Sequence, residues 1–190
     1  SRKGLYKIIE DSLKYFDCPI ILDADALNLI SKDFNVLDKY KNQIIITPHP
    51  GEMSKITGKS VREIQANRIK ISSDVSRKIK CISVLKGFRT IISSNSGQIY
   101  INGSGNEGMA TGGMGDALTG IIASFIGQGY SELESTILGV YVHGKAGDSI
   151  ADVTSKRGIL ASEIIKKLPK TIKLIEENSS IYSDLERIEN

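Results

Sequence analysis

The sequence predicts an α/β protein with a mostly parallel central sheet and helices on both faces. Three observations predict it. Short continuous apolar runs, the pattern of strands buried on both faces, alternate with segments of helical apolar periodicity. The residues with chemical reach (Asp23, Asp25, His49, Lys86) follow those runs, and open parallel sheets bind ligands beyond the carboxyl ends of their strands. A glycine-rich stretch then opens an apolar helix, whose first amides are free to meet an anion.

The elements follow in order. Leu5, Ile8, Ile9, Leu13 and Phe16 recur at helical spacing and predict a first helix over about residues 5–16. Pro19-Ile20-Ile21-Leu22 reads as a buried parallel strand, and Ala26 to Ile30 as a short helix. Gln43 to Thr47 is a second strand, stopped by Pro48-His49-Pro50-Gly51. One long helix is expected from Val61 to Lys80, with Ser60 and Glu63 in a capping-box relation. Cys81 to Leu85 is a third strand. Thr90–Ser94 and Gln98–Ile101 form a hairpin around Asn95-Ser96-Gly97. Apolar helices are expected over Asp116–Gly127 and Glu132–Ile150, and a last one over Leu160–Leu168 with Pro169 as its stop. The polar tail after Lys170 carries no assigned element.

Length and composition bound the function. The chain has 190 residues, 40% hydrophobic and 25% charged, the balance of an ordinary globular protein. No run of about 18 apolar residues exists to cross a membrane. A formal charge of +3, spread without a dense basic run, gives no footprint for nucleic acid. Cys18 and Cys81 each begin an apolar run, which predicts buried free thiols and a reducing, cytoplasmic setting.

The glycine-rich segment carries the chemistry. Glycines allow positive φ and close backbone approach to a ligand. After Gly115 the pattern turns helical through Leu118, Ile121, Ile122 and Phe125, so a helix N-terminus suited to phosphate follows a flexible turn. Asp116 stands there, either as a cap or as an acceptor of a proton from a substrate hydroxyl. No Lys-Ser or Lys-Thr follows the glycines, so this is not a Walker loop.

Asn106-Glu107-Gly108-Met109-Ala110-Thr111-Gly112-Gly113-Met114-Gly115-Asp116 closely resembles the nucleotide loop of the NAD(P)H-hydrate dehydratases, a ribokinase-like family. Its Gly-x-Gly-Asp ending is common to ribokinase-like kinases, whereas the longer string is narrower. Glu107 departs from it, standing where many members have proline. Three further segments resemble family motifs in the right order: Asp23-Ala24-Asp25-Ala26-Leu27-Asn28, Thr47-Pro48-His49-Pro50-Gly51-Glu52, and Lys86-Gly87-Phe88-Arg89-Thr90. Val142-His143-Gly144-Lys145-Ala146-Gly147-Asp148 matches a family helix, with His143 read as packing rather than catalysis.

The resemblance implies a ribokinase-like fold in which residues 1–190 are the C-terminal part of one dehydratase domain, its first strands lying before Ser1. An exposed sheet edge is expected where those strands are missing. It implies a lyase that repairs the S-epimer of hydrated NADH or NADPH at the expense of ADP or ATP. Asp116 would be the catalytic base and would also contact the substrate, together with His49, Asp25 and Asn28. Lys86 through Thr90 and Asn106 through Gly115 would hold the nucleotide, with Mg²⁺ as a phosphate bridge whose protein ligands are not identified. The expected partners are small molecules and copies of the chain itself, a tetramer among the possible homo-oligomers. Two other readings stand beside it: a ribokinase-like kinase of a small alcohol, and an inactive nucleotide-binding regulatory module.

Overall fold

The computed structural model describes residues 2–37, 40–178 and 185–188. The chain forms two compact units, one of Ser1–Gly87 with Ile91–Ile99, the other of Phe88–Thr90 with Tyr100–Ile188.

The first unit is built on strands β1 (Ile20–Leu22), β2 (Ile44–Ile46), β3 (Cys81–Leu85) and β4 (Ile91–Ser93). β1, β2 and β3 are parallel, with Ile20 opposite Ile44 and Ile44 opposite Cys81, and β4 returns antiparallel to β3. Every residue of β2 and β3 is buried, as expected of strands covered on both faces. Helices α1 (Arg2–Tyr15), α2 (Ala24–Ile30), α3 (Pro50–Thr57), α4 (Val61–Ala66) and α5 (Arg68–Ile79) complete it. Leu27, Ile30, Met53 and Ile64 supply fully buried side chains from the helices.

Two further strands are β5 (Ile99–Asn102) and β6 (Leu185–Ile188). Among the described residues β1 pairs with β2 alone.

The second unit contains α6 (Met114–Gly127), α7 (Glu132–Ala151) and α8 (Ala161–Glu177). Its core joins Met114, Ile121 and Phe125 of α6 to Val142, Ala146 and Ile150 of α7, with Ile159 and Ile164. A Cβ on Gly139 would stand 2.6 Å from Ile122 Cγ1, so glycine is what lets α6 and α7 pack this closely.

Four expectations are corrected. The long helix over Val61–Lys80 is two helices, because Asn67 leaves helical geometry at φ −137° and ψ 38°. Ser60 and Glu63 do form the capping box of the first. The Pro48–Gly51 segment does stop the second strand, but a helix where no element was assigned, α3, starts within it, because Pro50 at the first helical position loses no hydrogen bond. Pro169 does not end α8, which runs on to Glu177. The carbonyl it leaves unpaired belongs to exposed Ile165, while Leu168, Ile172 and Ile175 still pack on the core. Of the two free cysteines, Cys81 is buried but Cys18 is exposed, because β1 begins only at Ile20.

Candidate functional site

In the first unit the candidate residues Asp23, His49 and Lys86 follow the ends of β1, β2 and β3. Lys86, just past β3, places Nζ 2.8 Å from Asp23 Oδ1, just past β1, and 3.9 Å from Glu52 Oε2 in α3. The side chains of Lys86, Asp23 and Glu52 are 19%, 12% and 8% exposed, so these charges are largely withdrawn from water. Burial alone would raise the Asp23 pKa. The hydrogen bond and charge of Lys86, with Ala24 and Thr47, outweigh it and hold the carboxyl below its ordinary value. Asp23 is the residue before α2 but does not cap it. Between Asp23 and Asp25, Ala24 is held at φ 49°, a left-handed backbone rare for a residue with a Cβ. Exposed Asp25 accepts a long hydrogen bond from Asn28 Nδ2 (3.5 Å), and Asn28 Oδ1 accepts from Lys55 Nζ at 2.7 Å.

His49 is the N-cap of α3. Its Nδ1 accepts from the amides of Gly51 (2.9 Å) and Glu52 (3.3 Å), while Glu52 Oε2 accepts from the His49 amide at 2.7 Å. This is a capping box with imidazole in the place of a serine hydroxyl. A Cβ at Gly51 would lie 2.8 Å from His49 Cε1, so the ring needs glycine beneath it. With Nδ1 used as an acceptor, neutral His49 carries its proton on Nε2. Its side chain is 57% exposed, and Nε2 lies 3.5 Å from Glu52 Oε1.

Sequence reasoning missed Arg68 at the start of α5. Its guanidinium donates to Leu85 O at 2.9 Å and lies within 3.5 Å of Lys86 O, binding the end of β3. Burial lowers its pKa. Nothing in a lone arginine on a helix signalled this.

In the second unit Phe88 is 87% exposed, with the Arg89 guanidinium 5.8 Å from its ring centre and Arg89 at φ 53°. The glycine loop reaches α6 through Gly113, the N-cap, at φ 82°. The first helical hydrogen bond runs from Ala117 N–H to Gly113 O (3.0 Å), so the amides of Met114, Gly115 and Asp116 have no acceptor inside the helix. Asp116 is the third helical residue and does not cap α6, which closes the capping alternative. Its carboxylate is exposed, and among the described residues it makes no hydrogen bond or ion pair. Thr111, Gly112 and Gly113 are exposed beside it.

The start of this loop is pinned. Asn106 Oδ1 accepts from the Gly108 amide at 3.0 Å. Glu107, the departure from the family pattern, pairs with Lys156 at 3.0 Å. A hydrogen bond with its own backbone, and then Lys156, keeps its carboxyl below the ordinary value. Lys156, like Asp148, which receives hydrogen bonds from the loop, was not singled out as a site residue. Each partner stands more than forty residues from the loop residue it meets, a separation that no local pattern reveals.

The comparisons with known proteins bear on the family and the fold. A family model described as NAD(P)H-hydrate dehydratase matches residues 3–170. The chain is 40% identical over 170 residues to a bifunctional NAD(P)H-hydrate repair enzyme of Moorella thermoacetica, covering 90% of this chain and 32% of that protein. It is 40% identical over 155 residues to an ADP-dependent (S)-NAD(P)H-hydrate dehydratase of Neisseria meningitidis, covering 80% and 52%. It superposes with a TM-score of 0.83 and 32% identity on a Bacillus subtilis ADP/ATP-dependent NAD(P)H-hydrate dehydratase co-crystallized with ATP/Mg²⁺, covering 90% and 60%. The chain therefore spans about a third to a half of the curated relatives it matches. A family model that matches nearly the whole chain, relatives at this identity and the shared fold agree: the chain belongs to the NAD(P)H-hydrate dehydratase family.

Proposed function

We propose that the protein removes water from the S-epimer of hydrated NADH or NADPH, using ADP or ATP, and so returns NAD(P)H. The observation that carries this reading is the start of α6: three amides without helical acceptors beside an exposed, uncommitted carboxylate, Asp116. Amides and helix dipole suit the terminal phosphate of a nucleotide. The carboxylate suits the proton of an attacking hydroxyl.

In this mechanism Asp116 takes the proton of the hydroxyl on the hydrated nicotinamide ring as its oxygen attacks the terminal phosphorus. The amides around Gly113, Gly115 and Asp116 stabilise charge developing on the phosphoryl oxygens. The bond from phosphorus to the bridging oxygen breaks, and AMP or ADP leaves. Elimination of phosphate from the ring then restores the dihydronicotinamide, because phosphate leaves far more readily than hydroxide. His49 is assigned to the hydrate, with Asp25 and Asn28 in support. Residues 86–90 and 106–115 are assigned to the nucleotide. Within that nucleotide segment the Lys86 ammonium is also held by Asp23 and Glu52, which fixes its place at the strand end.

Among the described residues no three His, Cys, Asp or Glu side chains gather as metal ligands. Mg²⁺ fits this set only as an ion carried on nucleotide phosphates and water, with few protein ligands. Likewise no described helix is long and apolar enough to cross a membrane. A cytoplasmic setting and assembly into a homo-oligomer, such as a tetramer, belong to the same proposal.

The test is the product. Hydrated NADH incubated with the intact protein and ADP or ATP should yield NADH and inorganic phosphate in equal amounts. Accumulation of a stable phosphorylated product would identify a small-alcohol kinase instead. Binding of nucleotide without turnover of any hydroxylated compound would identify a regulatory module.

A further inference from the structure

We propose that Asp148 is a positioning residue for the nucleotide loop, acting through Asn106 and Gly105. The proposal rests on the nucleotide reading of that loop. Asp148 lies on α7, and its two carboxylate oxygens each take a donor from the loop. Oδ2 accepts from the Gly105 amide at 2.9 Å and Oδ1 from Asn106 Nδ2 at 2.9 Å. With Nδ2 engaged, the Asn106 side chain turns Oδ1 onto the Gly108 amide. One carboxylate thus sets the amide orientation of Asn106 and, through it, the turn that leads toward Gly113 and α6.

The surface of α7 is cut to receive the loop. A Cβ on Gly144 would stand 2.2 Å from Ser104 Oγ, and one on Gly147 would stand 2.3 Å from Met109 Sδ. Ser104 Oγ also donates to Tyr141 O at 3.0 Å. Positions 141, 144, 147 and 148 share one helix face at three- and four-residue spacing. A loop that only connected two elements would not need two glycines and a doubly engaged carboxylate beneath it. Gly105, at φ 95°, takes the left-handed turn that aims its amide at Asp148.

The chemistry predicts a reversible swap. In Asp148→Asn an amide nitrogen replaces one acceptor, so a donor faces either Asn106 Nδ2 or the Gly105 amide. In Asn106→Asp two carboxylates face each other. The double variant Asn106→Asp/Asp148→Asn restores one donor against one acceptor and keeps the total charge. Binding of ADP is measured by calorimetry on the intact protein, with thermal unfolding alongside. Each single variant is expected to weaken ADP binding about tenfold or more while unfolding cooperatively, and the double to recover most of that loss. Affinity unchanged in both folded single variants would overturn the proposal. So would a double variant whose loss is the product of the two single losses. If one single variant fails to fold, the other and the double still decide. If the unsubstituted protein binds no ADP or ATP, the nucleotide reading falls first and this proposal with it. If it binds nucleotide and only the swap fails, the nucleotide reading stands without Asp148.

Discussion

Asp116 fits the proposed role because, among the described residues, nothing else uses it. Gly113 caps the helix, leaving the Asp116 carboxylate exposed and, among the described residues, without a partner. Replacing it with asparagine should lower turnover on the order of 10²–10⁴-fold, the usual contribution of a positioned base. Steady-state recovery of NADH checks this, and full turnover in the variant would remove Asp116 from the chemistry. His143 illustrates the opposite case. Its Nε2 is buried, with no hydrogen-bond partner among the described residues, and burial lowers its pKa to about 4 from 6.5. As the pH falls, the unfolded chain takes up this proton first. The stability His143 confers is therefore complete above about pH 6.5 and lost between there and about pH 4. Thermal unfolding across that range should show the loss, and His143→Leu should flatten it. An unchanged profile in the variant would mean that another group titrates. Residue identity was legible wherever a motif was local. The His-Pro-Gly-Glu run announced a special backbone, yet the role of His49 as a helix cap became visible only once Nδ1 was seen to face two amides.

At the scale of elements, Lys86 ties the ends of three parallel strands through Asp23 and Glu52. Lys86→Met would leave two largely buried carboxylates without their cation and should destabilise the protein by about 3–5 kcal/mol. Chemical denaturation measures this; a loss below about 1 kcal/mol would class the pair with ordinary surface bridges. Asp23 also makes the cluster acid-sensitive. Its carboxyl titrates below the ordinary 3.8, so its contribution is present above that pH and is lost as pH falls through the lower folded value. Pro169 sits inside α8, so Pro169→Ala should stabilise the fold by up to about 3 kcal/mol, read from the same denaturation curves. No gain would show that the helix already bends around the ring without cost. The strands were legible because runs such as Ile44-Ile45-Ile46 carry their burial in composition. The break at Asn67 was not, since an asparagine within a helical pattern gives no sign of turning. Nor was α8, where packing of Leu168, Ile172 and Ile175 overrides the local signal of proline.

Across the molecule, the α/β alternation and the order of four motifs were readable, because each is written in neighbouring residues. The division into two compact units was not, because it depends on contacts between residues far apart in sequence. The same holds for Arg68, Lys156 and Asp148, which meet their partners across 17 to 49 intervening sequence steps. Family membership rests on a match over residues 3–170, whereas the activity is the proposal that gives Asp116 and the free amides of α6 their purpose. The decisive measurement is to give the intact protein hydrated NADH with Mg²⁺ and either ADP or ATP, and to follow the dihydronicotinamide absorbance. The account predicts recovery that requires the nucleotide and is lost in Asp116→Asn. No recovery with either nucleotide, in protein shown to be folded, would contradict it.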